Sequence, residues 1–132
     1  MHQLTRGRLI AVAATTAALM FAAQGTATAA PQRAVTEGGY AEWNADPYNG
    51  IPGDSIRACD TTADGWGIEA WLDIDRNGTI DRIASTRGHN APYCTGWISG
   101  NIEPEGRPIQ MWAVTVKGSS TKEKGGLIWS HS

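Results

Sequence analysis

The chain has 132 residues, with 11 Lys+Arg against 13 Asp+Glu and a formal net charge of −2. That mildly acidic balance argues against nucleic acid or an anionic membrane surface as partner, because both demand clustered positive charge. The length admits one domain of ordinary size and leaves little room for a second.

The chain opens with the marks of an export signal. Arg6 and Arg8 supply a short positive segment, Leu9 to Ala23 run almost wholly apolar or small, and Ala27-Thr28-Ala29 offers a small-x-small cleavage site. The run is too short and too rich in Ala and Thr for a spanning helix, which needs about 20 strongly apolar residues. Residues 1–29 are therefore expected to be a secretory signal peptide cut after Ala29, with Ala30 as the alternative, and the product to be secreted and extracellular. Loss of Arg6 and Arg8 leaves nine basic residues against 13 acidic ones, a net charge of −4. No second apolar run follows, so no membrane anchor is expected.

Residues 30–53 read as an irregular lead-in, because Pro31, Gly38-Gly39, Pro47, Asn49-Gly50 and Pro52-Gly53 interrupt any regular element. Beyond them, short β-branched and aromatic runs alternate with turn clusters, the pattern of an all-β domain. Strands are expected at about 54–60, 67–75, 79–86, 93–99, 108–117 and 125–131. The fold class that follows is a single small antiparallel β-sandwich, immunoglobulin-like or related, spanning 54–132 and monomeric. In the strand at 108–117, one face carries Ile109, Met111 and Ala113 and the other Trp112, Val114 and Val116. Apolar residues on both faces mean a strand covered on both sides or one face meeting a partner.

Cys59 and Cys94 are an even pair in an oxidising compartment, so a disulfide is the default. It closes a loop of about 36 residues and contributes roughly 3.5–4 kcal/mol in the chain-entropy model. If Ile56 and Ala58 point inward, Cys59 points outward, which calls for a bulge or an edge disulfide. Between the strands at 67–75 and 79–86, a two-residue Asn77-Gly78 turn pairs Arg76 with Thr79. Asp73 then lies opposite Arg82, Leu72 opposite Ile83, and Trp71 opposite Ala84. Ile68, Ala70, Leu72 and Ile74 share an apolar face, with Glu69, Trp71, Asp73 and Asp75 on the other.

One constellation carries candidate metal chemistry. Asp73, Asp75, Asn77, Thr79 and Asp81 place oxygens at relative positions 1, 3, 5, 7 (a backbone carbonyl) and 9, with Gly78 at 6. Calcium takes six to eight hard oxygens at about 2.3–2.6 Å, and a loop of alternating donors can wrap it. Ala84 stands where an EF-hand has its acidic twelfth residue, and the flanks are strand-like. Leu72 to Ile83 resembles instead the calcium loops of FG-GAP repeats in β-propellers, over about 12 residues and in one copy; the resemblance implies a local calcium site and no propeller. The competing reading is a plain Asn-Gly hairpin whose acids pair with Arg76 and Arg82.

No nucleophile–base pair or zinc spacing is visible. His89 lies in a polar turn, His131 near the C-terminal end, and Glu103 and Glu105 flank Pro104 as solvated turn acids. No catalytic residue is assigned and no enzyme is expected. Trp66, Trp71 and Trp97 sit beside Gly, acid or Ser and are candidate ligand-binding aromatics, since such side chains give contact area at small entropic cost; burial in the core is the alternative for each. The Ala/Thr-rich signal, the run Cys59 to Gly67 and the run Ser85 to Cys94 resemble small secreted proteins of actinobacteria such as Streptomyces, which implies a setting and no activity. The expected function is a secreted, non-enzymatic binding module for an extracellular protein or polysaccharide, with calcium as candidate cofactor. The alternative is an inhibitor of secreted hydrolases, with 87–93 beside Cys94 as the presented loop. The calcium reading predicts that calcium, against a magnesium control, raises the melting midpoint of the mature chain by mass action. Asp75→Ala should abolish that rise.

Overall fold

The computed structural model describes residues 29–132, so the expected signal peptide lies, apart from Ala29, outside the described residues. Among the described residues, nine antiparallel strands form two sheets: β1 (Gln32–Thr36), β2 (Gly39–Asn44), β3 (Ser55–Asp60), β4 (Gly67–Ile74), β5 (Arg82–Ser85), β6 (Tyr93–Cys94), β7 (Ile98–Ser99), β8 (Pro108–Lys117) and β9 (Ser120–His131). One sheet has the order β1-β2-β3-β6, with β7 also paired to β3, and the other has the order β5-β4-β8-β9. The small all-β sandwich expected from the alternating runs is what forms. No helix among the described residues is long and apolar enough to cross a membrane.

The core lies between the two inner faces. Ala34, Ala41, Trp43, Ile56 and Ala58 come from the first sheet, and Ile68, Ala70, Leu72, Ala84, Ile109, Met111, Ala113 and Ile128 from the second. The period-2 alternation read in β4 and β8 therefore sets which side faces inward. Many of these residues are Ala, so the interior is filled by a few large side chains, Trp43 among them, set between small ones. Above them Thr36 Oγ1 and Thr115 Oγ1 lie 2.9 Å apart, and Thr115 Oγ1 donates to Glu37 O at 2.6 Å. Each hydroxyl buried between the sheets thus has a partner, which avoids the cost of an unpaired polar group.

The lead-in is not irregular throughout, which corrects the expectation for 30–53. β1 and β2 form a hairpin around Glu37-Gly38, with Thr36 paired to Gly39 and Gly38 at φ 86°. Gly39 was misleading as a turn signal because its role is packing. A Cβ there would lie 2.1 Å from Cys59 O and 2.7 Å from Ile68 Cγ1. Residues 30–31 and 45–54 lie outside the strands, and in the longer stretch Asn49 (φ 44°) and Gly50 (φ 80°) make a tight reversal bridged by Tyr48 and Ile51. Two left-handed residues in succession are the geometry Asn-Gly favours.

The β4–β5 register also differs from the expectation. Leu72 pairs with Arg82, Trp71 with Ile83, and Ala70 with Ala84. This is a one-residue slip, which moves every β5 side chain to the opposite face. Ala84 enters the core and Ile83 goes outside, 48% exposed. Arg82 swings to the end of the sandwich and donates to the backbone oxygens of Asp54 and Gly100. Burial lowers its pKa, partly offset by the charges of Asp54 and Asp81.

Cys59 and Cys94 form the expected disulfide, joining β3 to the edge strand β6 with their Cα atoms 4.0 Å apart. Ile56 and Ala58 point inward and Cys59 outward without a bulge in β3. The strand expected at 93–99 is instead broken into β6 and β7, with Thr95 N–H bonded to Ala58 O at 2.9 Å between them. Gly39→Ala should therefore cost about 2–3 kcal/mol through overpacking against backbone. Gly96→Ala, where a Cβ meets nothing within 4 Å, should stay within about 0.5 kcal/mol. Urea melts of the two variants check the contrast.

Candidate functional site

The segment 75–81 is a seven-residue connection between β4 and β5, not a two-residue turn. Left-handed φ values fall at Asp75 (70°), Arg76 (55°) and Gly78 (87°). The loop folds back over Asp73, whose fully buried carboxylate accepts N–H bonds from Asn77 at 3.0 Å and Gly78 at 2.8 Å, and one from Gln110 Nε2 at 2.7 Å. Burial pushes the Asp73 pKa up, but the hydrogen bonds from Gln110, Gly78 and Asn77 outweigh it and hold the carboxyl below its usual value. Asp81 Oδ2 accepts from Ile74 N–H at 2.7 Å, and Asn77 Oδ1 from Thr79 N–H at 2.9 Å. Asp75 pairs with Arg107, whose Nε lies 2.9 Å from Oδ1.

The five residues named as calcium donors are thus neighbours in one loop, but the side-chain oxygens of Asp73, Asp75, Asn77 and Asp81 point to different partners, and Thr79 is an exposed loop residue whose N–H bonds Asn77. Asp73 faces backbone N–H groups, Asp75 faces Arg107, and Asp81 and Asn77 cap the loop. Among the described residues, no group of three or more His, Cys, Asp or Glu is placed to hold a metal ion. A calcium ion seated here has to compete with Arg107 for Asp75, whereas the Asp73 carboxylate keeps acceptor capacity beyond its three N–H bonds.

The three candidate aromatics are not brought together. Trp97 lies over Arg57 at 4.7 Å on the outer face of the β1-β2-β3 sheet, in a ladder where Glu42 is gripped by Arg33 and Arg57. Trp66 precedes β4 at one end of the sandwich, with Lys117 and Lys122 within 5.7 Å and 5.3 Å of its ring. Trp71 lies on the outer face of the other sheet. All three are half-buried, and only Trp43 is fully buried in the core.

Trp71 has neighbours that the sequence did not single out. It pairs with Ile83 on one side and Trp112 on the other, and Trp112 pairs with Leu127. Directly paired residues share a face, so Ile83, Trp71, Trp112 and Leu127 form one row across all four strands. Three interstrand steps of about 4.8 Å make the row about 14 Å long. Leu127 is 39% exposed, and Trp129, two residues further along β9, is 59% exposed with Arg76 lying 4.5 Å over its ring.

The row is held from below. Trp71 Nε1 donates to Glu69 Oε2 at 2.7 Å, while Arg87 Nε and Ser85 Oγ donate to Glu69 Oε1 at 2.7 and 2.9 Å. Burial raises the Glu69 pKa, but the bonds from Arg87, Trp71 and Ser85 more than reverse this and hold it low. Lys124 Nζ lies 3.8 Å from the Trp112 ring centroid and 5.9 Å from that of Trp71. Polar groups flank the row on both sides: Glu69, Ser85 and Lys124 on one, Asp73 and Gln110 on the other.

No family model, curated protein or solved structure matches the chain. The site therefore has to be read from its own chemistry.

Of the remaining candidates, the 87–93 loop lies at the end of the sandwich near Trp66, and His131, Glu103 and Glu105 lie at the opposite end, beside the start of β8. His89 stacks on Tyr93 with ring centroids 3.9 Å apart, and Arg87 reaches across to the Gly118 carbonyl. The loop from Arg87 to Asn90 is exposed, and the disulfide at Cys94 braces its far side. His131 is exposed at the end of β9, and Glu103 and Glu105 are exposed in the connection before β8.

Asp73→Asn tests the turn that sets the register. It replaces an acceptor by an amide against three N–H donors, and should cost about 1–3 kcal/mol at neutral pH. A depressed carboxyl contributes stability above its unfolded-state pKa and loses it as pH falls through the folded-state value. The gap between variant and parent should therefore close in acid, which urea melts at falling pH will show.

Proposed function

We propose that the protein is an extracellular binding module that docks a polysaccharide along the row Ile83, Trp71, Trp112 and Leu127. The observation that supports the reading is the row itself: a narrow strip crossing a whole sheet, with two half-buried indoles at its centre, Trp129 beside its Leu127 end and polar groups along the rest of its edges. Contiguous exposed apolar surface of this kind marks interaction sites. A protein partner of ordinary affinity wants a patch of about 800 Å² with an apolar centre. A narrow strip edged by hydrogen-bonding groups suits a linear chain of sugar rings, whose flat C–H faces lie on indole while their hydroxyls meet Lys124, Ser85 and Gln110. The Glu69 bond holds Trp71 in place before a ligand arrives, which reduces the ordering cost of binding.

Secretion, as expected from residues 1–29, sets this activity outside the cell, where such polymers occur. A second reading, inhibition of a secreted hydrolase, draws on the exposed loop 87–93 braced by Cys94. In that case a protease or amylase loses activity stoichiometrically, and changes at His89 and Asn90 relieve the loss, while changes in the strip do not.

Depletion from solution by insoluble cellulose and chitin tests the leading reading. Trp71→Ala and Trp112→Ala should each weaken retention by about 30-fold or more, as central aromatic anchors do. Trp97→Ala, on the opposite outer face, should leave it unchanged. Equal retention of all three variants on these polymers would sink the assignment of the strip.

A further inference from the structure

The end of the sandwich where β3 and β8 finish and β4 begins holds an open cleft of about 620 Å³. That is within the size range of small-ligand sites. Its walls come from 60–67, 86–91 and 116–118, separate from the aromatic row. Asp60 stands in it at the end of β3, only 4% exposed. Its Oδ1 accepts the Thr62 N–H at 3.1 Å, and its second oxygen receives no hydrogen bond from the described residues. Burial raises the Asp60 pKa, the Thr62 N–H lowers it in part, and the charge of Asp64 raises it further. The second oxygen is open to the cleft and not sealed in the core, so a ligand hydroxyl can take the place of water before it.

Across the cleft, Trp66 presents a half-exposed indole, and Lys117 supplies an ammonium with no carboxylate within 4.0 Å among the described residues. The other cation of the wall, Arg87, is committed to Glu69 and to the Gly118 carbonyl. Gly88 and Gly118 leave open space where a side chain would stand. The groups free of ion pairs are thus one acidic acceptor, one cationic donor and the amide of Asn90, beside an indole that Lys117 and Lys122 approach to 5.7 Å and 5.3 Å, exposed cation–π contacts that an incoming ring can replace at small cost. Their charges cancel, which disfavours a strongly anionic or cationic ligand. Paired acceptor and donor beside an indole suit a neutral ring bearing neighbouring hydroxyls, each of which both donates and accepts.

We infer that this cleft is a second binding site, for a single neutral sugar residue, with Asp60 accepting from and Lys117 donating to adjacent hydroxyls while the ring lies on Trp66. The inference goes beyond the sheet-face reading and stands without it. The test is an amide chemical-shift titration of the mature, disulfide-bonded chain with glucose, galactose, mannose and N-acetylglucosamine. At least one sugar should move resonances at 60–66, 86–91 and 117–118. Its affinity should fall about tenfold or more in Asp60→Asn and in Lys117→Met, as expected for loss of one charge-assisted hydrogen bond. Trp112→Ala should leave it unchanged, which separates this site from the strip. Lys117 is on the surface, so its variant keeps the test decisive if Asp60→Asn does not fold. The inference is overturned if no sugar moves the cleft, if the shifts persist undiminished in Lys117→Met, or if succinate or putrescine moves it where the sugars do not.

Discussion

Between Ile74 and Arg82 the chain has to reverse, and the buried carboxylate of Asp73 determines how. With three N–H donors from Asn77, Gly78 and Gln110, it ties the loop down beside β8 and delays the start of β5 until Arg82. Asp81 closes the other side by accepting from Ile74 N–H. Had the chain turned at Asn77-Gly78, Ile83 would have entered the core opposite Leu72 and Ala84 would have stood beside Trp71. The loop reverses this, so a small residue fills the interior and a large one extends the exposed row. Paired strands propagate such a choice through every later residue. A polar group removed from solvent thus fixes the composition of the surface most suited to binding.

How far this was legible depends on what each residue is used for. The faces of β4 and β8 could be read from alternation because Ile68, Leu72, Ile109 and Met111 are large and face one way. The disulfide could be read from compartment and count. The β1–β2 hairpin was hidden because its inward residues include Ala34 and Ala41, which give little periodic signal, and because Gly39 looks like a turn residue. Its actual constraint is the Cys59 carbonyl on the neighbouring strand, a contact between segments 20 residues apart. Local sequence carries no sign of such a contact.

The two Asn-Gly pairs make the same point about the candidate site. Asn49-Gly50 adopts the tight two-residue reversal, whereas Asn77-Gly78 sits inside a longer loop with Asn77 outside the left-handed region. Nothing in the dipeptide separates them; Asp73 and Gln110 do, and Gln110 lies 32 residues beyond Gly78. Trp71 could be singled out from its acidic neighbours. Its partners Trp112, Ile83 and Leu127 could be found only through the strand order and register, which the turn assignment had shifted by one.

The two outer faces of the sandwich both carry indoles and cations, yet they are not equivalent. On the first sheet, Arg33 and Arg57 both bond Glu42, which is itself nearly buried, so the cation over Trp97 is held by a network. Moving Arg57 there would strip one of two partners from a nearly buried carboxylate, leaving its Oε2 unpaired, a costly change. On the second sheet, Lys124 lies over Trp112 and Trp71 with no carboxylate within 4.0 Å among the described residues. An exposed cation–π contact is worth only about 0.5–1 kcal/mol, so an approaching ligand can move this ammonium at small cost and offer it an oxygen in exchange. Until then, the charge keeps an apolar row hydrated on a protein whose overall balance is acidic. The difference between a cation anchored to a buried acid and one resting on an aromatic ring is what makes one face closed and the other available.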